Sequence, residues 1–222
     1  MTRAGAGTAA LYNGAMSTAS GPAEQYRAVR DAAGVIDRSS VGKAEVEGRD
    51  RASFLQGMLS NDVKALSPGQ GWAAAFLDAH GKVMALLRVY ALTDRLLLEL
   101  PPGLTQKTLL LLDKYLISEK AAFEAMDEAY AVLSVQGPRA PALLARLAGA
   151  PMDLAPHAHV EATLAGIATR VVQRSEFGAR PGFFLWAAPD AMPALRAAVE
   201  GAGAIRVDRV VGEVLRVEAG VA

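Results

Sequence analysis

Apolar residues recur along this chain in two rhythms, roughly every 3.6 residues and every second residue, and the switches between them predict its elements. Tyr26, Val29 and Ala33 share one helical face in Ala23–Ala33, which Gly34 stops. Val35–Val46 reads as extended, with a break at Ser39–Gly42 and an end at Gly48. Asp50 is placed to cap a helix from Arg51 to Leu59 with Phe54, Leu55 and Met58 on one face. Turns at Asn61-Asp62 and Pro68-Gly69 lead into a strand, Trp72–Leu77. A turn over Asp78–Lys82 then leads to a long strand, Val83–Leu92, whose hairpin partner Arg95–Leu100 follows the two-residue turn Thr93-Asp94. Thr105–Leu116 is an amphipathic helix.

The order then restarts. Tyr130–Val135 is a strand, Ala140–Leu147 a helix, Ile167–Arg174 and Gly182–Ala187 two further strands, and Pro189–Gly201 a helix. Ile205–Ala219 closes the chain with valines at mostly helical spacing. VEGRDRASFLQ (Val46–Gln56) lines up with VQGPRAPALLA (Val135–Ala145), Gly48 falling on Gly137. The expected fold is therefore α+β: two related halves of mainly antiparallel sheet backed by helices, over 22–128 and 129–222, after a loosely held leader at 1–21. Strands joined by turns as short as Thr93-Asp94 cannot be parallel, which disfavours a doubly wound nucleotide fold.

Composition narrows the classes. The 222 residues are 52% hydrophobic and 21% charged, enough for a packed core. Lys plus Arg and Asp plus Glu both total 23, so no basic excess draws the chain to a phosphate backbone. Cysteine is absent, which removes disulfides, thiolate metal sites and thiol nucleophiles. No apolar run reaches the roughly 20 residues of a membrane span. A soluble, cytoplasmic protein is expected.

Spacing alone builds no catalytic constellation. His157 and His159 fall on one side of an extended segment, but two histidines do not complete a zinc site, and a solvated loop is the plainer reading. His80-Gly81-Lys82 lacks the glycines and following helix of a phosphate loop. Glu99, between Leu98 and Leu100, is placed by strand alternation on a solvated face.

Several motifs carry a resemblance. EQYRAVRDAAGVIDRSSVGKAEVEGRDRASFLQGMLSNDVKALSPGQG, AAFLDAHGKVMALLRVYA, LLLLDKYLISEKAAFE, LSVQGPRA and LRVEAG occur in this order. Together they resemble the folate-binding aminomethyltransferase superfamily, which includes the glycine-cleavage T-protein. Within it, the nearer likeness is to the YgfZ-type branch. That resemblance implies a tetrahydrofolate-dependent role in iron–sulfur cluster maintenance, with iron–sulfur proteins or assembly factors as partners. The alternative is a tetrahydrofolate-dependent aminomethyl- or methyltransferase of the T-protein type.

T-proteins carry an aspartate pair on the long strand, and the match puts Ala85 and Leu86 there, Leu86 on the catalytic carboxylate. The resemblance thus implies no catalytic residue in this chain, because leucine cannot exchange a proton. It implies folate contacts at Asn61 and Asp62, in the family's NDV loop, and at Tyr90, Phe177, Phe184 and Arg216. Phe177 stands for a pterin-side tyrosine, Phe184 for the glutamate that grips the pterin amino edge, and Arg216, in LRVEAG, for an arginine of the folate cavity. Losing the glutamate implies weak folate binding. In YgfZ-type proteins LR-x-EAG precedes a KGCxxGQE segment and a C-terminal β-barrel. This sequence ends at Ala222, so a fragment, a truncated form or a divergent stand-alone form is expected, the first two leaving the valines of Val207–Val217 exposed.

Overall fold

The computed structural model describes residues 20–78, 80–178 and 180–221; most of the leader expected at 1–21 lies outside them. A seven-element unit occurs twice. Its first copy runs β2 (Gly42–Glu47), α2 (Arg51–Met58), β3 (Gly71–Leu77), β4 (Val83–Ala91), β5 (Leu96–Leu100), α3 (Thr105–Asp113) and β6 (Ala122–Ala125). Its second runs β7 (Ala131–Gln136), α4 (Ala140–Ala148), β8 (His159–Leu164), β9 (Ile167–Gln173), β10 (Gly182–Ala187), α5 (Met192–Gly201) and β11 (Ile205–Arg206). Before them come α1 (Pro22–Asp31) and β1 (Gly34–Asp37), and after them α6 (Arg209–Glu218).

The duplication is visible in the strand orders. One sheet has five strands, β3-β4-β5-β2-β6, all antiparallel. The other has six, β8-β9-β10-β7-β1-β11, and only its β1–β11 pair is parallel. The order β3-β4-β5-β2 repeats as β8-β9-β10-β7. The α+β, mainly antiparallel reading is thus the observed architecture. One strand breaks the linear division of the chain: β1, from the first half, inserts between β7 and β11 of the second sheet. β6 and β8 escape the sequence reading because both are edge strands with only half of their residues exposed and no continuous apolar run.

Four layers result. On the outer face of the five-stranded sheet, α2 and α3 pack through Phe54, Leu55 and Leu112 against Val46, Leu87, Val89 and Leu98. On the outer face of the six-stranded sheet, α4 and α5 pack through Leu143, Leu144, Leu195 and Val199 against Leu133, Val135, Val171 and Leu185. The inner faces meet at Tyr90, Leu97, Val132, Val172, Phe184 and Trp186. Helices α1 and α6 cover the remaining inner surface at β1 through Val29, Ile36, Val211 and Leu215. The valines of the last segment therefore divide: Val207 and Val211 are buried, while Val210, Val214 and Val217 are exposed. Asp50 precedes α2 without capping it; its carboxylate accepts the Lys120 N–H at 2.8 Å instead. Among the described residues no helix is long and apolar enough to cross a membrane.

Both repeats turn from strand to helix at a glycine in a conformation that side chains rarely adopt, Gly48 at φ +98° and Gly137 at φ +126°. At Gly137 a Cβ would also stand 2.5 Å from the Ala32 carbonyl at the end of α1. Gly137→Ala is expected to destabilise the chain by about 1–3 kcal/mol in urea unfolding, the range for a residue forced into a sparsely populated backbone region. A loss within measurement error would show that this turn relaxes freely.

Candidate functional site

The inner faces carry the chemistry. On β4 the alternation that sends Leu87 and Val89 to α2 and α3 turns Leu86, Arg88 and Tyr90 toward the second sheet. On β5 it does the same for Leu97 and Glu99, and the register pairs Arg88 with Glu99 and Tyr90 with Leu97. Across the gap stand Phe184 and Trp186 of β10, Ser134 and Gln136 of β7, and Arg174 just beyond β9.

Glu99 is the hub. Its Oε1 accepts from Arg174 and, at 3.5 Å, from Arg88, and its Oε2 accepts the Tyr90 hydroxyl at 3.2 Å. It is only 3% exposed, which corrects the expectation of a solvated face. Alternation assigns a strand one wet face, but this sheet is covered by helices on one side and by the second sheet on the other. A second carboxylate, Glu176, pairs with Arg38 and accepts the Ser134 hydroxyl at 2.8 Å. Gln136 ties the two parts together, donating to Ser134 Oγ at 2.9 Å and the Arg174 carbonyl at 3.0 Å and accepting the Glu176 N–H at 2.9 Å.

The electrostatics follow from this packing. Burial pulls the Arg174 guanidinium down, but Glu99, Tyr90 and Glu176 outweigh it and hold Arg174 above the ordinary arginine value. Burial and then the Glu99 charge push the Tyr90 hydroxyl far up, so it stays a donor at any working pH. Arg88 is held below its ordinary value by burial and by the like charge of Arg174. His157 is likewise lowered, by burial, Arg88 and Arg174.

The expected folate residues separate. Tyr90 and Phe184 do come together in the inter-sheet cluster, but neither offers an open ring. Tyr90 meets Trp186 edge-on at 6.2 Å, and the Arg174 guanidinium lies 4.0 Å over the Phe184 ring. Asn61 flanks the site: its amide donates to the Ala73 carbonyl at 3.0 Å, and Ala73 is the β3 partner of Arg88. Asp62 is exposed and accepts the Ala65 N–H at 3.2 Å in a short 3-10 turn, Val63–Ala65. Phe177 is fully buried with Val29, Ile36, Val207, Val211 and Leu215, because the chain after Glu176 turns its ring under α1 and α6; it is a core residue. Arg216 lies on the outer side of α6, paired with Glu213 at 2.6 Å, since Val211 and Leu215 occupy the inward stripe. Leu86 is 56% exposed at the open end of the inner face.

Sequence reading missed Arg38, Arg88, Arg174, Glu176, Ser134 and Gln136. Arg88 and Glu99 each left a trace, a single charge inside the apolar runs Val83–Leu92 and Leu96–Leu100. The expected solvated loop at the histidines also gives way to order, for His159 opens β8 and is buried. Among the described residues no three His, Asp or Glu side chains are placed to hold a metal ion.

The chain is similar to curated aminomethyltransferases. That of Frankia alni is 34% identical over 202 residues, spanning 88% of this chain and 54% of that protein. That of Bacillus subtilis is 32% identical over 170 residues, 75% of this chain and 46% of that protein. The crystal structure of the glycine cleavage system aminomethyltransferase T from Bartonella henselae superimposes with a TM-score of 0.81 at 25% identity, covering 91% of this chain and 55% of that one. The chain thus spans about half the length of the relatives it matches. These relatives lend support to the T-protein-type alternative, and none of them points to the iron–sulfur branch. The family model described as the GCVT N-terminal domain matches residues 3–222, and the chain belongs to that family.

Proposed function

We propose that the chain is the folate-holding part of a tetrahydrofolate-dependent one-carbon transferase of the T-protein type. The observation that carries this reading is the family match across nearly the whole chain, supported by the duplicated two-sheet fold. A reduced folate supplies the ring nitrogen that carries a one-carbon unit. The residues present fit such a ligand in part. The site has buried donors without partners among the described residues, Arg88 Nε and Trp186 Nε1, and an apolar exposed residue, Leu86, where acceptor and ring surfaces can rest. The pterin-gripping position is not rebuilt, since Phe184 offers no acceptor and Arg174 covers its face.

A second reading, a folate-dependent factor without transferase chemistry as the YgfZ-type likeness implies, is favoured by one observation. The family's carboxylate position is Leu86, and the nearby carboxylate Glu99 is already held by Arg174, Arg88 and Tyr90. It has no free role as a base.

Two measurements test these readings. Calorimetric titration with tetrahydrofolate is expected to give a dissociation constant of about 100 µM, roughly −5.5 kcal/mol. No heat at millimolar ligand would remove folate from the reading. Incubation with aminomethylated H-protein and tetrahydrofolate is expected to give turnover far below an ordinary enzyme's, on the order of 1 per second. Turnover at that level would restore the transferase in full and place its catalytic group elsewhere than position 86.

A further inference from the structure

The site holds three guanidiniums, Arg38, Arg88 and Arg174, against two carboxylates, Glu99 and Glu176. The charges are not shared evenly. Arg38 closes on Glu176 and Arg174 on Glu99, while Tyr90 and Ser134 take the remaining strong positions on those acids. Among the described residues Arg88 is left with one marginal contact, Nη1 to Glu99 at 3.5 Å, and its Nε is enclosed with no acceptor. His157, the other titratable group acting here, is held toward its neutral form and brings no negative charge. The surplus positive charge therefore sits on Arg88.

Arg88 is also the guanidinium of the pair around Glu99 that reaches solvent. Its side chain is 29% exposed, against 13% for Arg174. Leu86 lies two residues away on the same face of β4 and is more than half exposed. A half-enclosed guanidinium with unfilled donors costs free energy until an acceptor arrives. The acceptor that best suits a planar fork of N–H groups is a carboxylate, which can take two of them at once. Leu86 asks for an apolar group next to that carboxylate.

We infer that the open end between the sheets is a carboxylate-binding site, with Arg88 as the receptor and Leu86 as the apolar surface beside it. The inference rests on the folate reading only for one source of the carboxylate, the glutamyl tail of the folate. A free aliphatic carboxylate is the other source. Both meet Arg88 in the same way: the anion neutralises the surplus charge and fills the donors that Glu99 leaves open. Arg174 cannot take this part, because its charge is already matched by Glu99 and its plane is stacked on Phe184.

Titration of the full chain with four probes separates the sources. Tetrahydrofolate is compared with 6-methyltetrahydropterin, which lacks the tail, and butyrate with the neutral amide butyramide. The wild-type chain is expected to prefer the carboxylate member of at least one pair by about tenfold or more, the scale of one charge-assisted hydrogen bond. Arg88→Met should abolish that preference, weakening the carboxylate member far more than the neutral one. Arg88→Lys, which keeps the charge and loses the fork, should fall between the two. It also carries the test if Arg88→Met fails to melt cooperatively. A preference for tetrahydrofolate names the tail as the source, and a preference for butyrate names a free carboxylate. If neither pair shows a carboxylate preference, or if the preference survives in Arg88→Met, the inference is overturned. Binding of 6-methyltetrahydropterin alone would then leave the folate reading standing. Arg88-dependent butyrate binding without any pterin binding would do the reverse.

Discussion

Replacing Glu99 with leucine is expected to cost about 3–5 kcal/mol of folding free energy, the range for breaking a buried ion pair by removing one partner. Glu99 is 3% exposed and answers Arg174, Arg88 and the Tyr90 hydroxyl. Leucine fits the strand, for the neighbours in β5 are all leucines, so the loss is not one of propensity. What fails is the charge balance between the sheets. Arg174, with 13% of its side chain exposed, keeps its charge and loses its carboxylate, and Tyr90 loses its acceptor. With a total stability of roughly 5–15 kcal/mol expected for such a chain, the variant should be only marginally folded. Glu99→Leu combined with Arg174→Leu should recover much of the loss, because an apolar replacement of the whole pair is often close to neutral. The recovery should stay incomplete, since Arg174 also stacks on Phe184 and Arg88 remains. Urea unfolding of the two single variants and the double variant decides the matter. A single-variant loss below about 1 kcal/mol would mean that Glu99 is solvated and the network is decorative.

The same residue shows how far the sequence could be read. Hairpins with short turns, the helix after each glycine turn and the internal echo at Gly48 and Gly137 are local signals, and the fold class follows from them. What spacing does not encode is which sheet a strand joins or what covers its second face. β1 follows α1 in sequence, yet it pairs with β7, about a hundred residues on, because helix α1 packs against α6 and carries β1 to that edge. Glu99 looked like an outward residue because alternation was read against a single wet face. The run Leu96–Leu100, apolar at four of its five positions, is the pattern of a strand buried on both faces, and that signal was available. Of the arginines only Arg88 left such a trace, a lone charge in the apolar run Val83–Leu92. Arg38, Arg88 and Arg174 come from β1's end, the middle of β4 and the end of β9, and only the stacking of the two sheets brings them together. Family likeness also places a residue without its surroundings. Phe177, expected as a pterin-side ring, is here a core side chain, while Arg216, expected at the folate cavity, is here on the surface.

Acidification is expected to destabilise the chain already below pH 6.5, and His159 is the cause. Its ring lies at the start of β8, 6% exposed, edge-on to Tyr90 at 5.7 Å. Nε2 lies 3.1 Å from the Ala91 carbonyl and Nδ1 lies 3.0 Å from the Arg170 guanidinium. A carbonyl can only accept and a guanidinium can only donate, so the neutral ring with its proton on Nε2 satisfies both. A second proton would have to enter at Nδ1, against Arg170. Burial, followed by the Arg170 charge, lowers the His159 pKa from 6.5 to about 4. The unfolded chain therefore binds a proton that the native chain refuses between these two values. In that window stability falls as pH falls, and the full contribution is present only above pH 6.5. The span corresponds to about 3 kcal/mol, at 1.36 kcal/mol per pKa unit. His157 is shifted in the same direction and adds to the slope. Asp37, lowered from 3.8, acts only below this window. His159→Gln can still donate to Ala91 and accept from Arg170, and it has no proton to gain. Urea unfolding between pH 7 and pH 4.5 should show a falling stability for the wild-type chain, a shallower fall for His159→Gln, and the least for His159→Gln with His157→Gln. A wild-type stability that is flat across this range, or a slope unchanged in His159→Gln, would show that the ring is protonated in the native fold and that Arg170 has moved away from it.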